Sequence, residues 1–330
     1  MSERYVVTGA AGFIASRVSQ LLLDAGHEVL GVDDLNDAYD SRLKSWRLEL
    51  LRRNAAFSFH PLDVALREPV AALFDSLAAA DPRPFAAVVH LAARAGVRQS
   101  VETPHIYVET NVAGTLNMLE VCRRHGVRKF VLASTSSLYG DTTQSPFRED
   151  MDTSRPLSPY AASKKGAEAM AFSYHYLHGI DTSIVRYFTV YGPAGRPDMS
   201  VFRFVRQLVE EEEISIFGDG TQTRDFTYVD DIARGTVLAL RPVGYEIINL
   251  GSDRPVALMD VLDKIAGHAG KTPRLKFYPA HPADVPATWA DVSKAGRLLG
   301  WKPEVSLDVG LRNSVEWYLQ NRAFASQLKM

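Results

Sequence analysis

The chain has 330 residues, enough to bury a large core, and its single cysteine, Cys122, excludes an internal disulfide and reads as a small core residue on a helix. A formal net charge of −2 with no sustained basic run gives no draw toward nucleic acid or an acidic membrane, which leaves a small molecule as the expected partner. No apolar stretch approaches the length of about 20 residues that spans a bilayer, and Met1 leads within four residues into an apolar run, so no leader is expected and the cytoplasm is the expected compartment.

Short apolar, β-branched runs at residues 5–8, 28–32, 86–91, 129–133 and 183–187 alternate with helical segments. That rhythm predicts parallel strands joined by crossover helices, and strands apolar along their whole length predict helices on both faces. The expected fold class is therefore α/β, a doubly wound Rossmann-type sheet. After Phe188 the pattern changes: Gly192, Pro193, Gly195 and Pro197 punctuate a loop, and Gly218-Asp219-Gly220 marks a turn. A smaller second lobe is expected there, with helices around 200–211, 258–269 and 307–321 and a solvated helix end at Glu210-Glu211-Glu212-Glu213. The apolar run 245–250 reads as a strand returning to the main sheet. The predicted division is 1–188 for the first domain, with a return segment near 228–251, and 189–330 mainly for the second lobe.

Directly after the first run stands Thr8-Gly9-Ala10-Ala11-Gly12-Phe13-Ile14-Ala15, followed by a helical pattern over 14–23. Gly9 permits a tight turn, Gly12 lets backbone approach a pyrophosphate, and the N-terminus of the helix supplies N–H donors and a positive dipole end. A glycine pair alone is a weak signal; the strand before it and the helix after it strengthen it. Ala15 occupies a position where glycine is usual, which predicts looser packing of helix on strand. Asp33, at the end of the second run, is placed to accept hydrogen bonds from both adenosine ribose hydroxyls and to repel a 2′-phosphate, which points to NAD over NADP. No arginine follows it to hold such a phosphate, so replacing Asp33 is expected to lose NAD while gaining little NADP. Asp63-Val64, placed after a third strand, are expected near the adenine, and Ala92-Ala93 after the fourth keep that strand end open. His90 reads as a packed histidine, not a catalyst.

Ser158-Pro159 looks like a helix start, and the spacing of Tyr160 and Lys164 sets them one turn apart on one helical face. A free tyrosine titrates near pH 10; a lysine cation and a positive nicotinamide ring beside it favour the phenolate, which makes Tyr160 a candidate general base. The fifth strand, the run 129–133, ends in Ala133-Ser134-Thr135-Ser136-Ser137, where ligands bind at a parallel sheet, so a hydroxyl there can share the reacting proton.

Together, Thr8–Ala15, Ser137-Leu138-Tyr139-Gly140 and Tyr160-x-x-x-Lys164 resemble, in order, the extended short-chain dehydrogenase/reductase (NAD-dependent epimerase/dehydratase) family over essentially the whole chain. Within it, Arg186-Tyr187-Phe188-Thr189-Val190-Tyr191-Gly192-Pro193, Gly195-Arg196-Pro197-Asp198-Met199, Ala95-Gly96-Val97-Arg98 and Asp33-Asp34-Leu35-Asn36 are most similar to UDP-glucuronic acid 4-epimerases. The resemblance implies an isomerase with tightly held NAD, a catalytic set of Thr135, Tyr160 and Lys164, and Lys164 also on the nicotinamide ribose. It further implies Arg196 and Arg224 at the UDP diphosphate and uridine end, with Asp284 near the nucleotide. It implies a homodimer, pairing helices around Tyr160 and residues 106–122 as a four-helix bundle, and no metal.

Oxidation at C4 of a uronic acid creates a β-keto acid that loses carbon dioxide when the carboxylate bond aligns with the carbonyl π-system. Hydroxyls of Thr135, Ser136, Ser137 and Thr189 are the candidates for holding that carboxylate near the carbonyl plane. Family members that eliminate water carry an Asp-Glu pair after the catalytic threonine, and UDP-glucuronate decarboxylases carry a glutamate in this stretch; here Ser136-Ser137 stand instead. The remaining alternatives are a UDP-glucose or UDP-N-acetylglucosamine 4-epimerase and, from another class, a non-catalytic NAD-binding scaffold, which has little need of Tyr160 and Lys164 together.

Overall fold

Val6, Val7, Val88, Val89, Val131, Leu132, Ile184 and Val185 are all fully buried, because each central strand is covered by helices on both faces and has no polar side. In the computed structural model, which describes residues 2–142, 144–279 and 285–330, the first part of the chain runs β1 (Arg4–Thr8), α1 (Phe13–Asp24), β2 (Glu28–Asp33), α2 (Ser41–Leu51), β3 (Phe57–Pro61), α3 (Arg67–Ala80), β4 (Ala87–His90), α4 (Val97–Glu102), α5 (Pro104–Val108), a π-helical turn (Glu109–Ala113), α6 (Gly114–His125) and β5 (Lys129–Thr135). It continues through a 3-10 turn (Ser136–Tyr139), α7 (Pro159–His178), β6 (Asp181–Tyr187), β7 (Thr189–Tyr191), α8 (Ser200–Val209), β8 (Glu213–Phe217), β9 (Thr223–Tyr228), α9 (Val229–Leu238), β10 (Tyr245–Leu250), β11 (Pro255–Ala257), α10 (Leu258–Ala269), β12 (Arg274–Tyr278), α11 (Ser293–Leu299), α12 (Leu307–Gln320) and α13 (Arg322–Ala325).

Seven strands form one sheet in the order β10-β6-β5-β4-β1-β2-β3, and every neighbouring pair is parallel. This is a doubly wound Rossmann sheet: the chain starts in the middle at β1, winds out to β3, then crosses over to β4 and winds the other way. The crevice opens where the order reverses, between β1 and β4, at the carboxyl ends of the strands. β3 sits at the edge, and its polar Ser58 and His60 alternate with Phe57 and Phe59. That alternation kept it out of the apolar runs by which the other strands were recognised.

One core, including Val7, Val18, Val89, Val131 and Trp301, fills one face of the sheet; another, including Val6, Met118, Cys122, Phe130 and Ala167, fills the other. A third core gathers Phe204, Ile214, Ile216, Leu262 and Tyr318 from α8, β8, α10 and α12, beside the small sheets β11-β9-β7 and β12-β8. Asp225 joins this part to the main sheet: its buried carboxylate accepts from the backbone N–H groups of Ser252, Asp253 and Ala290 and from the Thr227 hydroxyl. That joint sets the position of β9 and of its neighbour Arg224. Among the described residues, no helix is long and apolar enough to cross a membrane.

Candidate active site

The turn after β1 requires its glycines. Gly9 has φ +70°, and a Cβ there would lie 2.8 Å from the Ala92 nitrogen; one on Gly12 would lie 2.8 Å from the Gly9 carbonyl oxygen. Gly12 caps α1 without a side-chain hydrogen bond, so the first-turn N–H groups remain for a ligand. Ala15, 2% exposed, is part of the core against which α1 packs. Arg47, buried on α2, braces the loop from behind by donating to the carbonyls of Ala11 at 3.2 Å and Ala194 at 2.6 Å. It thereby ties the glycine turn to the loop that carries Arg196.

Asp33 accepts from the N–H groups of Ala11 at 3.2 Å and Leu35 at 2.8 Å, and the Lys44 ammonium lies 3.5 Å away. Burial pushes its carboxyl above the ordinary range, with the Lys44 charge pulling it back. On the other side of the turn, Thr8 Oγ1 accepts from the N–H groups of Leu91 and Ala92, both at 3.1 Å, so its own proton goes to His90 Nδ1 at 2.7 Å. The imidazole proton therefore sits on Nε2, which has no hydrogen-bond partner among the described residues. Burial and the nearby Lys164 hold the His90 ring down to about 3, so it stays neutral and shapes the strand ends instead of moving protons. Phe13, Ile14, Asp63, Val64, Ala92 and Ala93 line the same cleft as Gly9, Gly12 and Asp33.

Across the cleft, Ser158 caps α7 by accepting from the Ala161 N–H at 3.2 Å, with Pro159 in the first turn. Lys164 is buried and donates to the Ala133 carbonyl at 3.0 Å. Burial pushes its ammonium down to about 8, and the carboxylate of Glu168, one turn on, pulls it back up. Burial raises Tyr160, and the opposing influences are a hydrogen bond with the Thr135 hydroxyl and the positive charge of Arg196, not the lysine. The reason is geometric: the Lys164 ammonium is drawn to the end of β5. Thr135, at that end, accepts from the Ser137 N–H at 3.1 Å and donates to the Ser137 hydroxyl at 3.2 Å. Behind it, Glu168 receives the Ser134 hydroxyl at 2.6 Å and both arms of Arg186 at 2.9 and 2.8 Å, all buried.

Ser136, Ser137, Thr189, Arg196 and Arg224 complete the wall of this cleft, whose volume is about 700 Å³. Arg196 pairs with Asp198 at 3.0 and 2.6 Å, and its positive charge favours the Tyr160 phenolate. Arg224 donates to the carbonyls of Thr223 and Pro286 at 2.8 and 3.3 Å. Asp284 lies outside the described residues. Four contributors were not singled out as site residues from sequence. Lys44 faces Asp33; Arg98 stacks 4.3 Å over the Phe217 ring; Arg203, depressed by burial and by Arg98, also lines the cleft. Asn111, buried in the π-helical turn, links the Arg94 backbone to the Ser163 hydroxyl through bonds of 2.8, 3.0 and 2.9 Å. Nothing local marks Asn111, whereas Lys44 and Arg47 carry a signal: both fall in the same phase as Leu43, Leu48 and Leu51 on the buried face of α2.

The glycine cradle, the Asp33 carboxylate and the Tyr160–Lys164 turn thus fit a dinucleotide and a second ligand meeting in one cleft. Residues 5–251 match the model of the NAD dependent epimerase/dehydratase family. The chain belongs to that family. It is 51% identical over 327 residues, 99% of each chain, to a UDP-glucuronate 4-epimerase of Thermodesulfobacterium geofontis. Among solved structures of this epimerase family, the UDP-glucuronic acid 4-epimerase of Bacillus cereus in complex with UDP-glucuronic acid and NAD superposes with a TM-score of 0.88 at 38% identity, covering 96% of this chain and 99% of that one. A UDP-glucose 4-epimerase of Thermotoga maritima with UDP-glucose gives 0.87 at 31% identity over 97% and 99%.

The Glu168–Arg186 pair is expected to hold α7 of this epimerase-family chain against β5 and β6. Arg186→Met leaves a buried carboxylate uncompensated and should destabilise the chain by about 3–5 kcal/mol, whereas Glu168→Met with Arg186→Met should cost distinctly less. Chemical denaturation of both variants and of Glu168→Met alone completes the cycle; a double-variant loss equal to the sum of the two single losses would show that the pair is not coupled.

Proposed function

We propose that this chain interconverts UDP-glucuronic acid and UDP-galacturonic acid by transient oxidation at C4, with NAD as its cofactor. The observation that carries the reading is the convergence on one cleft of the glycine turn, the Tyr160–Lys164 face of α7 and the hydroxyl cluster at the ends of β5 and β6. Gly9, Gly12, Phe13, Ile14, Asp33, Asp63, Val64, Ala92 and Ala93 would hold the dinucleotide. Bound NAD supplies the acceptor for the C4 hydride and returns it to the opposite face of the keto sugar. Tyr160, steered by the Thr135 hydroxyl, takes the proton from the C4 hydroxyl; Lys164, anchored on Ala133, orients the nicotinamide ribose. Arg224 and Arg196 neutralise the substrate's charges, and in this reading Asp284 contacts the nucleotide.

The proposed division of labour gives residues 1–188, with the return segment 228–251, to NAD, and 189–330 mainly to the UDP-sugar. The compartment this reading assigns is the cytoplasm. A homodimer through α7 and the helices at residues 106–122 is also proposed. Met170 and Leu177, two turns apart on α7, are 36% and 67% exposed, and Val108 of α5 is 53% exposed, an apolar face suited to a second copy.

Incubated with UDP-glucuronic acid, the protein should yield UDP-galacturonic acid by NMR. Tyr160→Phe should keep the fold and substrate affinity but slow turnover by about 10²–10⁴-fold; near-normal turnover would remove Tyr160 from the base role. Thr189→Val, or Ser136→Ala with Ser137→Ala, should lower activity on UDP-glucuronic acid more than on UDP-glucose and release a UDP-4-keto-pentose detectable by mass spectrometry. Equal losses without that product would favour a neutral UDP-sugar as the substrate. Sedimentation velocity should show a dimer that Met170→Glu with Leu177→Glu converts to monomers; a monomeric native chain would refute the interface.

A further inference from the structure

Lys44 is a cation in an unusual place. It lies on the apolar face of α2 with its side chain 6% exposed, yet it lines the cleft beside the second strand's end. Its ammonium stands 3.5 Å from Asp33 Oδ1, 4.0 Å from Asp34 Oδ1 and 5.5 Å from the centre of the Tyr39 ring. Both carboxylates are already engaged: Asp33 by the backbone of Ala11 and Leu35, Asp34 by the side-chain amide of Asn36 at 2.6 and 2.8 Å. An ammonium has three donors, and a well-formed charge-assisted hydrogen bond to oxygen is about 2.7–2.9 Å. At 3.5 Å the Lys44–Asp33 contact is an ion pair that leaves donors for a third group in the cleft.

We propose that Lys44 is a second binding group for the adenosine ribose, and that the Asp33–Lys44 pair, not Asp33 alone, sets the choice of dinucleotide. The inference rests on the glycine cleft being the NAD site. A ribose hydroxyl whose proton goes to Asp33 presents its oxygen to Lys44, so one hydroxyl bridges the pair and satisfies both. A 2′-phosphate meets two carboxylates against one ammonium and is repelled. The selectivity is conditional, because neutralising Asp33 leaves Asp34, already bound by Asn36, as the one carboxylate beside Lys44 and releases a lysine fit for phosphate. The sequence has no arginine following Asp33 to hold a 2′-phosphate; Lys44 reaches the place from α2, eleven residues after Asp33.

The test uses the full chain equilibrated with equal NAD and NADP, desalted and denatured, with the released dinucleotides quantified by mass spectrometry and affinities measured by calorimetric titration. Asp33→Asn should raise the NADP-to-NAD ratio by about tenfold or more, the scale of one charge-assisted hydrogen bond. Adding Lys44→Met to Asp33→Asn should erase that gain, and Lys44→Met alone should weaken NAD several-fold without admitting NADP. Equal NADP retention by Asp33→Asn with and without Lys44→Met would overturn the proposal. If Asp33→Asn fails to fold by circular dichroism, Lys44→Met alone decides: unchanged NAD affinity overturns the role, and a several-fold loss supports it. An unmodified chain that binds neither dinucleotide would instead refute the NAD site itself.

Discussion

The reversal of winding between β1 and β4 is the constraint on which the molecule depends. Parallel strands bury both faces under helices, so the only place where backbone can meet a ligand without breaking the sheet is beyond their carboxyl ends, and the ends part only where the order reverses. Gly9 turns there against Ala92, just beyond the end of β4, with no room for a side chain, and the Thr8 hydroxyl, itself bonded to His90, accepts from the backbone of Leu91 and Ala92 across the gap. β5 ends next to it, which is why Thr135 and the Tyr160–Lys164 turn face the same opening.

Charge around this opening is managed by burial and by pairing. Loss of water pushes Lys164 and Tyr160 toward their neutral forms, which lowers the lysine toward neutrality but raises the tyrosine, so its phenolate depends on the opposing Thr135 hydrogen bond and the Arg196 charge. Glu168 with Arg186, and Asp33 with Lys44, instead keep their charges close to a partner. The first pair holds α7 on the sheet; the second lines the cleft. Arg47, between them in function, spends its donors on two loop carbonyls and so links the glycine turn to Arg196.

Much was legible in the sequence because it was local. The strand-turn-helix around Gly9 and Gly12, the acidic end of β2, the one-turn spacing of Tyr160 and Lys164 and the hydroxyls closing β5 are each set by neighbours a few residues away, and apolar runs sufficed to show that the sheet is parallel and covered. β3 escaped that reading because an edge strand needs only one apolar side. Which side chains share the cleft was another matter. Arg98, Arg203 and Lys44 come from separate helices, and the approach of Arg196 to Tyr160 depends on how the loop after β7 folds back. Local spacing determines secondary structure and the residues that work within one turn. Long-range packing alone decides which charges face one another across the crevice, because electrostatic partners are chosen by distance in space, to which separation along the chain is no guide.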